Sequence, residues 1–142
     1  MYARILVPLE HSPADETILG HVRMLAQHLG SALVLIHVAD GWVARNIKEL
    51  DLRESEEMRE DRLYLEEICA RLQGEGLDVD AVLAGGDPAK EIAAAAEREG
   101  CDLIAMATHG HRLLDDVMHG STATALRHAT KIPVLMVRAE QI

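Results

Sequence analysis

The sequence predicts an α/β fold: an open, five-stranded, mostly parallel doubly wound sheet in the order 3-2-1-4-5, with helices on both faces. Short apolar runs alternate with helical patterns along the chain, which is typical of βαβ units. Most of these runs are nearly continuous in apolar residues, as expected of parallel strands buried on both faces. The length of 142 residues suits one domain, and we expect a single domain over residues 1–142.

The first strand runs from Ile5 to Leu9 and should end near Pro8, because a proline inside a central ladder would cost a hydrogen bond. Ser12, with Asp15 three residues later, predicts the cap of the first helix. Pro13 fits the first helical position. The chain therefore opens with one strand and one amphipathic helix.

The second strand is predicted over Ala32 to Val38. His37 lies within it and is expected to be a hydrogen-bonded core residue rather than a ligand. The connection from Asp40 to Leu52 has no regular pattern and is expected to be a mobile loop. The helix from Arg53 to Leu72 carries many acidic residues, which favour a solvated face.

Three more strands follow, over Val79 to Ala84, Asp102 to Ala107 and Pro133 to Val137. Asp87 should cap the helix that follows the third strand, with proline at its first position. The last strand is apolar and should lie at a sheet edge, where an uncovered strand invites pairing.

Composition excludes several classes of function. The net charge is −10, with no Phe, one Trp and two Tyr, so neither a polyanionic partner nor base stacking on nucleic acid is expected. No stretch is long and apolar enough to span a membrane, which predicts a soluble cytoplasmic protein. Cys69 and Cys101 lack metal or redox spacing and are expected to be small core residues.

The most informative stretch runs from Met106 to Thr122, after the fourth strand. Two glycines, Gly110 and Gly120, bracket a loop, and hydroxyl residues follow the second glycine at a helix start. Backbone N–H groups, hydroxyls and a helix dipole suit a bound phosphate. On spacing alone, an anion site and a plain pair of turn glycines are equally supported.

The chain resembles the universal stress protein (UspA-like) family of small nucleotide-binding α/β proteins. Its nucleotide-binding members carry Gly-x-x-Gly, nine residues, then Gly-Ser or Gly-Thr. Here Ala107 to Gly110 is followed by nine residues and then by Gly120-Ser121. The opening Ile-Leu-Val-Pro, the Gly-Asp-Pro turn and the closing Ile-Pro-Val-Leu-Met-Val extend the resemblance over nearly the whole chain.

The resemblance implies ATP or AMP as the ligand, with Mg²⁺ or Mn²⁺ accompanying the triphosphate and held by phosphates and water. The implied nucleotide-binding residues are Pro8, Glu10, Val38, Met106, Ala107, His109, Gly110, Gly120, Ser121 and Thr122. The first three would border the adenosine and the next three would form the pocket floor. The glycines and hydroxyl residues would hold the phosphates.

Two positions depart from the family pattern. Ala107 stands where the motif has its first glycine, and its methyl group is tolerated only if the backbone there has ordinary strand dihedrals. Glu10 stands where the family usually has Asp, which keeps the charge on a longer side chain. Both changes bear directly on nucleotide binding.

The implied function is a stress-response regulator or sensor that binds adenine nucleotide, forms a homodimer through residues 132–137 and is read by an unknown protein partner. Slow ATP hydrolysis is the most that the residues suggest, and no catalytic residue is assigned. A nucleotide-free interaction module of the same fold is the main alternative. A metal site that uses His109, His111 and His119 is a weaker one, because these histidines lack a defined zinc spacing.

Overall fold

The computed structural model describes residues 1–39, 56–108 and 122–139 of the chain. The strands are β1 Arg4–Pro8, β2 Ala32–Ala39, β3 Val79–Gly85, β4 Leu103–Thr108 and β5 Val134–Arg138. The helices are α1 Ala14–Leu29, α2 Glu56–Gly74, α3 Pro88–Arg98 and α4, residues 122–129. The predicted connection from Asp40 to Leu52, and the start of the helix predicted from Arg53, lie outside the described residues.

The five strands form one sheet in the order β3-β2-β1-β4-β5, and every pairing is parallel. Ile5 of β1 pairs with Leu33 of β2 on one side and with Leu103 of β4 on the other. The predicted fold class and strand order are therefore confirmed. Pro8 lies at the last position of β1, where its missing N–H does not interrupt the ladder.

The sheet buries apolar side chains on both faces, because successive residues of a strand point to opposite sides. On one face, Ile5, Val7 and Leu35 pack in a core that includes residues of α1 and α2. On the other face, Leu6 and Ile36 pack in a core that includes residues of α3 and α4. Continuous burial on both faces explains why these strands read as unbroken apolar runs.

The start of α1 differs from the prediction by one residue. Pro13 is the cap residue, makes no side-chain cap hydrogen bond, and the helix begins at Ala14. Ser12 Oγ accepts only a long hydrogen bond, 3.3 Å, from Ala14 N. Instead, the Asp15 carboxylate accepts hydrogen bonds from the backbone N–H groups of residues 10–12. Asp15 therefore organises the loop before the helix rather than the helix alone.

The start of α3 follows the prediction. Asp87 is the cap residue, its Oδ2 accepts a hydrogen bond from Lys90 N at 3.1 Å, and Pro88 occupies the first turn. Gly86, just before the cap, has φ +130°, a conformation that favours glycine. This turn brings the start of α3 to the end of the sheet where β3 finishes.

Strand β5 lies at the edge of the sheet next to β4, as predicted. Met136 is 43% exposed there, although it is a large apolar residue in a strand. Cys101 is buried and Cys69 is partly buried against the core, and both are free thiols. None of the helices in the described part of the chain combines the length and the apolar character needed to cross a membrane.

Candidate functional site

A pocket opens at the carboxyl ends of β1, β2 and β4. The strand order reverses at β1: the chain passes from β1 out to β2 and β3 on one side, and then crosses back to β4 and β5 on the other side. Such a reversal of strand order leaves a crevice outside the strand ends, where open α/β sheets bind their ligands. The pocket therefore lies where the fold itself favours a ligand.

Six of the ten residues singled out by sequence line this pocket. They are Pro8, Glu10, Val38, Met106, Ala107 and Thr122. The other four, His109, Gly110, Gly120 and Ser121, lie outside the described residues. Pro8 lies at the end of β1, Glu10 in the loop after it, Val38 on β2 and Met106 on β4, so residues up to 114 positions apart in sequence meet in one place.

The described wall of the pocket is largely apolar. Besides the predicted residues, Leu9, Ile36, His37, Pro88 and Ile92 contribute to it. The cavity has a volume of about 260 Å³, far more than the roughly 30 Å³ that one water molecule occupies. An apolar slot of this size with a few polar groups at its rim suits a planar, partly apolar ligand.

Glu10 supplies a carboxylate at the rim of the pocket. Ser12 Oγ donates a hydrogen bond to Glu10 Oε2 at 2.8 Å, which limits the orientation of the carboxylate. A fixed carboxylate can accept hydrogen bonds from ligand hydroxyl or amino groups. The rim is therefore suited to a ligand that carries such donors.

Ala107 fits the strand without strain. It lies within β4, pairs with Val137 of β5, and is absent from the non-glycine residues of positive φ in the described chain, which are Tyr2 and His11. It belongs to the core on the α1–α2 face of the sheet and is 7% exposed. The backbone therefore has the ordinary strand conformation that a methyl group at this position requires.

Both ring nitrogens of His37 have polar partners, in keeping with the expectation of a core histidine. Nδ1 lies 2.8 Å from the Leu9 carbonyl oxygen and Nε2 lies 3.2 Å from Asp61 Oδ2. The same side chain also lines the pocket. His37 therefore connects the pocket wall to helix α2.

Sequence reasoning missed the role of Asp61. The acidic run of α2 was expected to form a solvated face, but Asp61 is 6% exposed, and for this residue the prediction was wrong. Its carboxylate lies 2.7 Å from His11 Nδ1 as well as near His37. The signal was present in the spacing, because Asp61 precedes buried Leu65 and Ile68 at helical intervals of four and seven.

Asp15 and Tyr64 complete the support beneath the loop between β1 and α1. Tyr64 OH donates to Asp15 Oδ2 at 2.6 Å, and the ring of Tyr64 stacks on His11 with centroids 4.0 Å apart. Asp15 is 1% exposed, so its carboxylate depends on these donors for solvation. Contacts with α1 and α2 therefore hold this loop, which carries Glu10, in place.

Burial, and then the hydrogen bond to Asp15, raise the pKa of the Tyr64 phenol above its ordinary value. The folded state thus holds this proton more tightly than the unfolded state does. The contribution is fully present below the ordinary tyrosine pKa of about 10 and is lost as the pH rises above it. We expect the free energy of unfolding to fall in this alkaline range.

Replacing Tyr64 by phenylalanine should lower the free energy of unfolding at neutral pH by about 1–2 kcal/mol. The loss is modest because Asp15 keeps its backbone donors from residues 10–12. The variant should also show a flatter decline in the free energy of unfolding as the pH rises above about 10. Urea unfolding followed by circular dichroism measures both effects, and an equally steep decline in both proteins would contradict the assignment.

Within the ranges 1–39, 56–108 and 122–139, no group of three or more His, Cys, Asp or Glu side chains is arranged to hold a metal ion. His109, His111 and His119, the basis of the metal-site alternative, lie outside these ranges. The described residues therefore offer no protein cage for a cation near the pocket.

Comparison with known proteins points to one family. The model of the Universal stress protein family matches residues 1–138. Universal stress protein MJ0577 of Methanocaldococcus jannaschii is 30% identical over 158 aligned positions, which cover 97% of this chain and 96% of that protein. A solved structure of MJ0577 superposes with a TM-score of 0.82 at 29% identity and covers 100% of this chain and 99% of that one.

Two more distant solved structures contain adenine nucleotides. A universal stress protein from Archaeoglobus fulgidus in complex with dAMP has a TM-score of 0.70 at 18% identity and covers 96% of this chain and 98% of its own. A universal stress protein in complex with cAMP has a TM-score of 0.69 at 16% identity, with 98% of each chain covered. At these identities the likeness extends to the fold alone.

Proposed function

The chain belongs to the universal stress protein family, and we propose that it is a stress-response regulator that binds an adenine nucleotide, ATP or AMP, in the pocket at the ends of β1, β2 and β4. One observation carries this proposal. The same pocket is lined by six residues that the family resemblance assigns to the nucleotide: Pro8, Glu10, Val38, Met106, Ala107 and Thr122.

The adenine ring occupies the apolar slot in this proposal. Val38 of β2 and Met106 of β4 border it. Met106 belongs to the core on the α3–α4 face of the sheet, and Val38 packs against that core. Apolar walls accept the faces of a purine, while its polar edge finds partners at the rim. Glu10 is placed to accept hydrogen bonds from the ribose hydroxyls or the adenine amino group.

The phosphates are assigned to the start of α4. Thr122 is the first described residue of this helix and lines the pocket. Backbone N–H groups at a helix start and hydroxyl side chains favour a phosphate. By the family motif, His109, Gly110, Gly120 and Ser121 complete this part of the site. Mg²⁺ or Mn²⁺ is assigned to the phosphates and water rather than to a protein cage.

The relatives support the ligand class. One universal stress protein of this fold has been solved with dAMP and another with cAMP. Both ligands share an adenine base, a ribose-type ring and one phosphate. We propose that the present chain binds a ligand with the same three parts, and that ATP binds through them as well.

We also propose that the chain forms a homodimer across β5. This strand lies at the edge of the sheet and exposes Met136. An edge strand with free backbone groups and an apolar side chain is stabilised when it pairs with a second copy. The family resemblance extends to this strand through the sequence from Ile132 to Val137.

A melting series tests the nucleotide proposal. The purified chain is heated alone and with increasing ATP, ADP or AMP in the presence of Mg²⁺, with GTP as the control nucleotide. A ligand that binds only the folded state raises the melting temperature. At a ligand concentration of 100 times its Kd, it adds about 2.7 kcal/mol to the free energy of unfolding. We expect a saturable rise with adenine nucleotides. No rise at millimolar concentrations would favour the nucleotide-free interaction module.

A further inference from the structure

A buried carboxylate joins helix α2 to the rim of the pocket. Asp61 Oδ1 lies 2.7 Å from His11 Nδ1, and Oδ2 lies 3.2 Å from His37 Nε2. His11 directly follows Glu10 in the loop after β1, while His37 lines the pocket at the end of β2. Asp61 itself is absent from the described pocket wall, so it reaches the ligand site only through the two histidines.

The hydrogen bonds of His37 require a proton next to Asp61. Nδ1 faces the Leu9 carbonyl oxygen at 2.8 Å, and because a carbonyl only accepts, Nδ1 carries a proton. In a neutral ring Nε2 would then be an acceptor, facing a carboxylate oxygen at 3.2 Å. Two acceptors repel, so a proton lies between them.

The conformation of His11 depends on the same contacts. Its φ is +65°, which a residue with a side chain rarely adopts without support. Asp61 bonds its ring, Tyr64 stacks on the ring at 4.0 Å, and Asp15 Oδ2 accepts its backbone N–H at 2.8 Å. Two of these three supports come from α2, so the loop that carries Glu10 is held in place by that helix.

We propose that Asp61 is a positioning residue for the adenine-nucleotide site: by bridging His37 and His11, it fixes one wall of the pocket and the loop that presents Glu10. The proposal rests on the function proposed above. Asp61 makes no contact with the nucleotide in this account, and its effect on affinity passes through the two histidines. Helix α2 thereby becomes part of the binding site without lining it.

Calorimetric titration with AMP and with ATP at neutral pH compares variants of the full chain. Asp61→Ala should bind about tenfold more weakly, because both histidines lose their buried partner. Asp61→Asn should bind nearly as well as the wild type, because its amide donates to a neutral His37 and its carbonyl accepts from His11. Ile68→Val is the control: it trims a buried residue of the same helix away from the bridge.

His11→Ala is a milder variant for the case in which Asp61→Ala does not fold. The His11 side chain is 37% exposed, so its removal leaves the core intact. It should weaken nucleotide binding at least ~threefold by releasing the loop next to Glu10.

Nitrogen-15 spectra of the histidine rings give a readout that a general loss of stability would not move. In the ligand-free wild type, the Nε2 signal of His37 should carry the signature of a hydrogen bond to the Asp61 carboxylate. In Asp61→Asn, Nε2 should become an unprotonated acceptor while Nδ1 keeps its proton. The same Nε2 signal in the wild type and in Asp61→Asn would overturn the bridge between Asp61 and His37.

The binding results separate this inference from the function on which it rests. If the wild type binds nucleotide and Asp61→Ala binds as tightly, the positioning role is overturned and the proposed function stands. If Asp61→Asn binds nucleotide as weakly as Asp61→Ala, the proposed bridge through the Asp61 side chain is overturned. If the wild type binds neither AMP nor ATP, both the proposed function and a role for Asp61 in it are overturned.

Discussion

Replacing Val38 by tryptophan should abolish adenine-nucleotide binding and leave a folded protein. Val38 lies at the end of β2, lines the pocket, and packs against the core only in part. The indole ring would therefore extend into the slot assigned to the adenine rather than into the close-packed interior. We expect affinity for AMP and ATP to fall at least ~100-fold, which corresponds to about 2.7 kcal/mol of binding free energy.

Val82→Trp is the matched control for this substitution. Val82 lies on β3, packs in part against the same core, and is absent from the described pocket wall. Both variants carry the same added bulk on the same face of the sheet, so a loss specific to Val38→Trp reports occupation of the pocket. Equal affinities of Val38→Trp and the wild type in calorimetric titration would place the nucleotide elsewhere or nowhere on this chain.

Replacing Met136 by lysine should convert a homodimer into monomers. Met136 is 43% exposed on the edge strand β5, so the fold does not need its side chain, but a partner strand laid along this edge would cover it. Two ammonium groups brought together across a symmetric interface repel each other and resist desolvation. In sedimentation equilibrium, the wild type should have twice the chain mass of 15.6 kDa and the variant the chain mass itself.

Met24→Lys provides the matched control for the dimer. Met24 is 68% exposed on helix α1 rather than on the edge strand, and the same substitution there should leave the dimer intact. A Met136→Lys protein that stays dimeric would refute the interface. Dissociation of both variants would point to a general effect of added positive charge.

The sheet could be predicted because burial on both faces leaves a strong local pattern. Ile5, Leu6 and Val7 are all 0% exposed, and such a run has few alternatives to a central parallel strand. The start of α1 was less predictable. Ser12 and Asp15 have the spacing of a cap, but the Asp15 carboxylate is used by the preceding loop, and that choice depends on Tyr64, about fifty residues later.

The pocket could be predicted from the rule that strand ends meet at one edge, together with the family motif. The contacts that hold the pocket wall in place could not be predicted. Asp61 is acidic and lies in an acidic helix, so composition favours solvent for it. Its burial depends on two histidines supplied by β2 and by the loop after β1. The helical spacing of Asp61 with Leu65 and Ile68 indicates its burial, but its partners lie in distant segments, and no local pattern in the sequence identifies them.

The proposed function depends most on where an adenine nucleotide binds, and a nitrogen-15 correlation titration of the 142-residue chain with AMP measures this directly. The predicted result is a saturable set of shift changes, largest for backbone N–H groups at Glu10, Val38, Ala107 and Thr122, with little change at the opposite end of the sheet near Gly30 and Gly76. An unchanged spectrum at millimolar AMP, or changes centred away from the ends of β1, β2 and β4, would contradict it.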